Sequence, residues 1–379
     1  MTKAAELAKM GEVLTNSQIG GRRNIVINGA MQVAQRGTTG TLNNGGSDFH
    51  SADRFYSSEE GAFTGAFTVS NDTDSPAGFS NSTKWDCTTA DTTLGAGDSF
   101  FVDHKIEAQN LQQLSYGTSD ALKMTLSFFI KSNKTGTYVA WLYNYDANRQ
   151  VSALYTISVA NTWEHKTLTF PADTTGSFNN DNGVGMVIRF IMGSGTTYTS
   201  GTAPSAWQSL VDANRYVGQT VNLADSTDNF MNITGIQLEV GSQATPFEHR
   251  SFGEELALCQ RYYYKSMDGS PADNIPNTDN TSSNGQLGIA MYSATAGRTP
   301  YFQNPVQMRA DPSVTVYSSE RANTSGKFGL FNQTSWVATS DTSPTVDIGR
   351  VTFSITHGSN LTAGYTYLLA GGFDADSEL

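Results

Sequence analysis

Apolar and polar residues alternate with a period of two along most of this chain, most clearly between Leu122 and Ile130. Leu122, Met124, Leu126, Phe128 and Ile130 share one side; Lys123, Thr125 and Ser127 share the other, with Phe129 the exception. Successive side chains of a strand point to opposite faces, so the pattern predicts a half-buried β-strand. The same reading gives strands at 137–145 (Val139, Trp141, Tyr143, Tyr145 as the apolar face), 151–159 (Val151, Ala153, Tyr155, Ile157, Val159), 163–170 and 184–192 (Val184, Met186, Ile188, Phe190, Met192). Polar turn clusters such as Asn133-Lys134-Thr135-Gly136 and Asp146-Ala147-Asn148 separate them. Short alternating strands with regular polar turns describe an antiparallel sandwich, dry on one face and wet on the other. Their number and spread across 24–250 favour a jelly roll over an immunoglobulin-type domain.

The period changes near residues 233–263. Ile236, Leu238 and Val240 point inward from a strand whose Gln237 and Glu239 point outward, and Gly241-Ser242 turns the chain. Ser251 and Glu254 then have the spacing of a capping box, and Leu256, Cys259 and Tyr263 give the helix that follows one apolar face. A polar linker, Asp268–Asn284, leads to a second β-region whose clearest faces are Val351/Phe353/Ile355 and Tyr365/Tyr367/Leu369, closed by an acidic tail from Phe373 to Leu379. At the other end, Leu7, Met10 and Leu14 line one side of a short helix over 3–14. So short a helix is marginal alone, so it docks, bundles with copies of itself, or frays as a disordered tail. The expected organisation is a helix and joint over 1–23, a jelly-roll β-sandwich over 24–250, a connecting helix and linker over 251–284, and a small C-terminal β-sandwich over 285–379. The fold class is mainly β.

Composition narrows the function. The 379 residues carry a formal net charge of −12 and only 15% charged side chains, with 36 glycines. An acidic surface repels nucleic-acid phosphates and anionic membranes, and no stretch approaches the ~18 apolar residues that span a bilayer. The two cysteines, Cys87 and Cys259, make a poor disulfide framework, and the first residues lack the basic-then-apolar order of a secretion signal. The expectation is a protein made in a reducing cytoplasm.

Catalytic motifs are sparse. The five histidines are scattered, without the spacing that sets zinc ligands on one face. Glu59-Glu60 and Glu254-Glu255 are adjacent pairs whose side chains diverge, whereas a glycosidase needs two carboxylates across a cleft. Asp72 with Asp74, and Asp181 among asparagines, are oxygen donors that could hold calcium, but they lack EF-hand order. What remains suits recognition of sugars: flat aromatic faces to stack on C–H surfaces, beside short polar arms for hydroxyls. Tyr198, Trp207 and Tyr216 in the long loop region 193–229, and Trp336 near the C-terminus, are the candidate carbohydrate-binding rings. Core or subunit-interface packing is the alternative for each.

Several segments carry a resemblance. NIVINGAMQVAQRG (Asn24–Gly37) with Ser51-Ala52-Asp53-Arg54-Phe55, WEHKTLTFPADTTG (Trp163–Gly176), residues 233–263, Asn304–Pro312 and Ala375–Leu379 are similar to segments of tail-fibre and related structural proteins of tailed bacteriophages. MTKAAELAKMGEVL resembles the virion-anchoring peptide of such proteins in marine phages. The resemblance implies a homotrimeric appendage held to other virion proteins through Leu7, Met10 and Leu14, displaying carbohydrate-binding-like sandwiches toward a host-surface glycan. It carries over no catalytic residue. The expected role is adhesion without catalysis. The alternatives are a capsid or neck decoration protein with no receptor role, and a polysaccharide depolymerase.

Overall fold

The computed structural model describes residues 23–266, 286–317, 327–331, 336–357 and 362–379. The expected anchoring helix with Leu7, Met10 and Leu14, and the expected linker Asp268–Asn284, lie outside the described residues. The chain is mainly β, as the alternation predicts, and divides into two compact units. One holds most of the chain up to Glu255; the other holds Gln35–Gly37 and Leu256–Glu378.

The first unit is a sandwich of two antiparallel six-stranded sheets. One sheet runs β1 (Thr39–Leu42), β3 (Ala66–Asp72), β4 (Ser82–Thr89), β12 (Phe230–Val240), β6 (Met124–Ser132), β9 (Glu164–Phe170). The other runs β11 (Gln208–Ser209), β8 (Arg149–Ile157), β7 (Gly136–Asn144), β10 (Val184–Ser194), β5 (Ser99–Glu107), β2 (Phe55–Glu60). The chain passes repeatedly between the sheets, as in a jelly roll. Their facing sides share one core: Met124, Leu126, Phe128 and Ile130 of β6 pack with Met186, Ile188, Phe190 and Met192 of β10. Phe128 meets Phe190 edge-on, with ring centroids 5.0 Å apart. Burying each such aliphatic side chain contributes about 1.5–3 kcal/mol.

Three expectations about faces need correction. In β7 the core-facing residues are Tyr138, Ala140 and Leu142, so Val139, Trp141 and Tyr143 point away from the sandwich interior. Both registers of β7 are apolar, and alternation alone favoured the one with larger rings. Leu122, Tyr145 and Val159 are exposed, at 44%, 59% and 56%. Gln237 and Glu239 point outward from β12 as expected, yet both are buried, because residues 242–250 fold over them. Thr245 donates its N–H and hydroxyl to Glu239, and the Glu248 N–H donates to Gln237 Oε1 at 2.8 Å. The outward faces are therefore partly dry.

The resembling segments at 24–37 and 233–263 meet here. The Asn24 side chain accepts from Leu238 N–H and donates to the Ile236 carbonyl, pinning the opening segment to β12. Asn28 Oδ1 accepts from Gln32 and Val33 N–H, and its own N–H donates to Glu255. Ser251 Oγ accepts from Glu254 N–H at 3.4 Å, the hydroxyl half of the expected capping box, while Glu255 is held by Asn28 and Arg250. The helix itself is Phe252–Gln260, so Cys259 is on its buried side but Tyr263 is already in a strand.

In the second unit, β13 (Tyr263–Lys265), β23 (Gly372–Asp376) and β17 (Ser313–Tyr317) form one sheet with β23 in the middle. The expected acidic tail is thus largely a central strand: Phe373 and Ala375 are buried, and the carboxylates occupy the alternate positions. Arg36 answers them, pairing with Asp376 at 2.9 Å and Glu378 at 3.3 Å. A larger sheet includes β14 (Gln286–Met291), β18 (Gly329–Phe331), β19 (Trp336–Ala338), β21 (Arg350–Thr356) and β22 (Thr366–Ala370). Phe328, Phe353 and Phe373 anchor this unit's core.

Candidate functional site

The outer side of the β8-β7-β10-β5-β2 sheet carries an unusual set of side chains for a sheet face. Cross-strand register sets Asp103 of β5, Arg189 of β10 and Trp141 of β7 in one row, with Phe101, Ile191 and Val139 on the same face. Residues 195–221 lie over part of this face and bring Tyr198, Arg215 and Tyr216 onto it. Phe101, Val139, Trp141, Ile191 and Tyr216 form a hydrophobic cluster separate from the main core.

Ion pairs tie this covering down. Arg189 binds both oxygens of buried Asp103, each at 2.8 Å, and donates to Glu60 at 3.2 Å and to the Tyr216 hydroxyl at 2.8 Å. Its guanidinium also lies 3.2 Å from the centroid of Phe101. A planar guanidinium suits such a site because it pairs bidentately and stacks at once. Asp103 and Glu60 hold the Arg189 guanidinium firmly protonated despite burial. Arg215 pairs with Asp212 at 2.6 Å and with Glu60 at 3.7 Å, and sits 5.3 Å from Tyr198 and 5.7 Å from Trp141. Burial, followed by the neighbouring Glu60 carboxylate, pushes the Tyr198 hydroxyl up to about 12.

Beyond the covering, an aromatic strip continues along β7. Trp141 and Tyr143 stack at 5.1 Å with 8° between their planes, and Tyr145 stands edge-on to Tyr143 at 5.9 Å. Burial decreases steadily along the strip: Trp141 is 3% exposed, Tyr143 half-buried and Tyr145 59% exposed. Trp141 Nε1 donates to Gln150 Oε1, and the Tyr143 hydroxyl donates to exposed Asn148 at 2.8 Å. A graded ring surface with amide and hydroxyl groups at its rim can stack a sugar ring and bond its hydroxyls.

The four rings expected from the sequence are not brought together. Tyr198 is half-buried at the edge of the covering, within the ion-pair clasp. Tyr216 is fully buried beneath it, with its edge toward Trp141. Trp207 is a core residue: its Nε1 donates to the Pro171 carbonyl at 2.9 Å and its ring meets Tyr116 edge-on. Trp207 and Tyr216 therefore present no ring to solvent, which corrects that expectation. Trp336 lies in β19 opposite Phe331, in the other unit. Tyr143 and Tyr145, which the i, i+2 spacing with Trp141 places on the expected apolar core face, instead reach solvent.

The expected calcium donors are engaged within the chain. Asp74 accepts from Lys131 at 2.6 Å and Trp163 Nε1 at 3.0 Å, and these bonds hold its carboxyl below the usual range. Asp72 accepts from Asp74 N–H and Asp181 from Gly183 N–H, both turn-closing bonds. Among the described residues, no group of three or more His, Cys, Asp or Glu is placed to hold a metal. Burial pushes the Cys87 thiol up to about 11, away from nucleophilic use.

No family model matches the chain, and no curated protein matches it. Among solved structures it is similar to the enzymatically active domain of bacteriophage CBA120 tailspike protein 4: 15% identity, TM-score 0.29, over 57% of this chain and 21% of that one. It is also similar to the family 11 carbohydrate-binding module of a Clostridium thermocellum cellulosomal cellulase, at 11% identity and TM-score 0.27, covering 53% of this chain and 95% of the module. TmCBM61, solved with β-1,4-galactotriose, matches at 9% identity and TM-score 0.27, over 58% of this chain and 99% of its own. Identities and TM-scores this low assign no function.

Proposed function

We propose that this chain is a structural appendage protein of a tailed-phage virion, of tail-fibre type, whose first unit adheres to host-surface glycan without catalysis. The observation that carries the adhesion reading is the strip Trp141-Tyr143-Tyr145, anchored by stacking at one end and open to solvent at the other. The virion reading rests on the resembling segments; within the first unit, Asn24 of one is hydrogen-bonded to Ile236 and Leu238 of another. A homotrimer attached to other virion proteins through the segment containing Leu7, Met10 and Leu14 would present several weak sites at once. Linked copies then bind at high effective concentration, which compensates for modest single-site affinity.

The absence of catalysis is part of the proposal. Both oxygens of Asp103 are taken by Arg189, and Glu60 is shared between Arg189 and Arg215. Asp212, the third carboxylate of the set, is exposed but paired to Arg215, so none of the three is placed as a free acid or base beside the ring strip. The test is a glycan-array screen of the full chain, followed by an assay for new reducing ends on every glycan that binds. Retention without cleavage is expected. New reducing ends would make the chain a depolymerase, and failure to bind any glycan would favour a decoration role.

A further inference from the structure

We infer that the β7 strip takes a neutral saccharide and rejects uronate, sialate and sulfate-bearing glycans; this rests on the glycan-adhesion reading of the same strip. The reason lies in how the cations of this face are used. An acidic sugar is normally bound by an arginine or lysine free to pair with its carboxylate or sulfate. Among the described residues, Arg189 and Arg215 are the guanidinium groups that lie over Trp141, and each already answers two carboxylates: Asp103 and Glu60 for the first, Asp212 and Glu60 for the second. Arg149, next to Asn148, is paired with Asp173. Within this ion-pair cluster, two cations against the three carboxylates Glu60, Asp103 and Asp212 leave one negative charge in excess. Lys105, two strands further along, lies over the Tyr56 ring and donates to the Leu379 carbonyl.

Geometry makes the exclusion specific. Asp212 is the exposed member of the set, with 57% of its side chain accessible, and it holds Arg215 at 2.6 Å. An arriving carboxylate would have to displace Asp212 to reach that guanidinium, and would meet its negative charge first. A neutral sugar has no such obstacle. It needs the ring faces of Tyr143 and Tyr145 and hydrogen-bonding groups at the rim, where Asn148 is exposed and Ser152 is half-exposed in the row of Trp141.

Affinity electrophoresis of the full chain tests this, using native gels cast with a neutral polysaccharide (β-glucan or galactan) or an acidic one (alginate or dextran sulfate). Wild type should be retarded by at least one neutral polymer and by neither acidic one. Asp212→Ala removes the exposed, closer partner of Arg215, leaving the longer Glu60 contact, and should gain retardation by alginate, about fivefold to tenfold tighter than wild type, an effect that added salt removes. Asp212→Asn keeps the side-chain volume and should give the same gain if Asp212→Ala proves unstable. Wild type held more tightly by acidic than by neutral polymers would overturn the inference while leaving glycan adhesion standing. So would neutral binding with no gain of alginate retardation in either variant. Retardation by no polymer at all would sink the adhesion reading and the inference with it.

Discussion

The two outer faces of the first unit solve the same problem with different chemistry. On the β12 face, residues 242–250 lie over Gln237 and Glu239 and are held by amide, hydroxyl and carboxylate bonds within one short stretch. On the β7 face, residues 195–221 are held by Arg189 and Arg215, paired to carboxylates from β2, β5 and the covering itself. The first covering closes its face around neutral donors to the buried Glu239 carboxylate, with its one buried guanidinium, Arg250, at the far end of the stretch, paired to Glu248 and Glu255. The second neutralises a buried guanidinium, stops short of the end of β7, and leaves Tyr145 exposed. The ion-pair clasp marks the edge at which the covering ends and the aromatic rings of the face meet solvent.

The largest perturbation should abolish both faces together. Leu126→Asp places an unpaired charge in the core between the sheets, costs more than about 4 kcal/mol, and should leave the protein in the insoluble fraction on expression. The next effect separates the faces. Asp103→Ala removes the bidentate partner of a buried guanidinium, leaving it only Glu60, and should cost about 3–5 kcal/mol by urea denaturation, whereas Glu239→Ala removes neutral-donor bonds and should cost about 1–3 kcal/mol. Equal losses would mean that the two coverings do not differ as described.

A smaller effect comes from the other side of β5, where His104 packs against Phe55 and its Nε2 accepts from Ile27 N–H. Burial first, then the charges of Arg54 and Arg250, keep this imidazole neutral well below its usual 6.5. Below about pH 6.5 the unfolded chain binds a proton that the folded chain refuses. Stability is therefore full above that pH and falls as the solution is acidified, by up to about 1.4 kcal/mol per pH unit. Urea midpoints measured between about pH 7.5 and 5.5 should show the slope in wild type and a shallower one in His104→Gln, where burial of His50 and His165 still contributes in the same direction.

Alternation was a sound guide wherever one register was polar. In β6, β8 and β10 it placed Leu126, Val151 and Ile188 correctly in the core. It failed at β7, where Tyr138, Ala140 and Leu142 are as apolar as Val139, Trp141 and Tyr143, because a strand covered on both sides has no polar register to read. It also missed β23, whose aspartates suggested a solvated tail although Phe373 and Ala375 alternate with them. The site was less legible than the fold. Ring type and loop position point to Trp207 and Tyr216, yet both are buried by partners distant in sequence: Pro171 and Tyr116 for Trp207, Arg189 for Tyr216. No local pattern announces such partners. The period of two puts Tyr145 in one series with Trp141 and Tyr143, but only the turn after Asn144 shows that its ring leaves the sheet for solvent.

The ring strip itself is tested most directly by an equilibrium binding isotherm of the best neutral polysaccharide on wild type and Tyr145→Ala, with thermal melts run in parallel. Tyr145 is exposed, so its loss should change stability by less than about 0.5 kcal/mol while weakening saccharide binding about tenfold. Equal affinity in the two proteins, at equal Tm, would contradict the assignment of glycan recognition to this face.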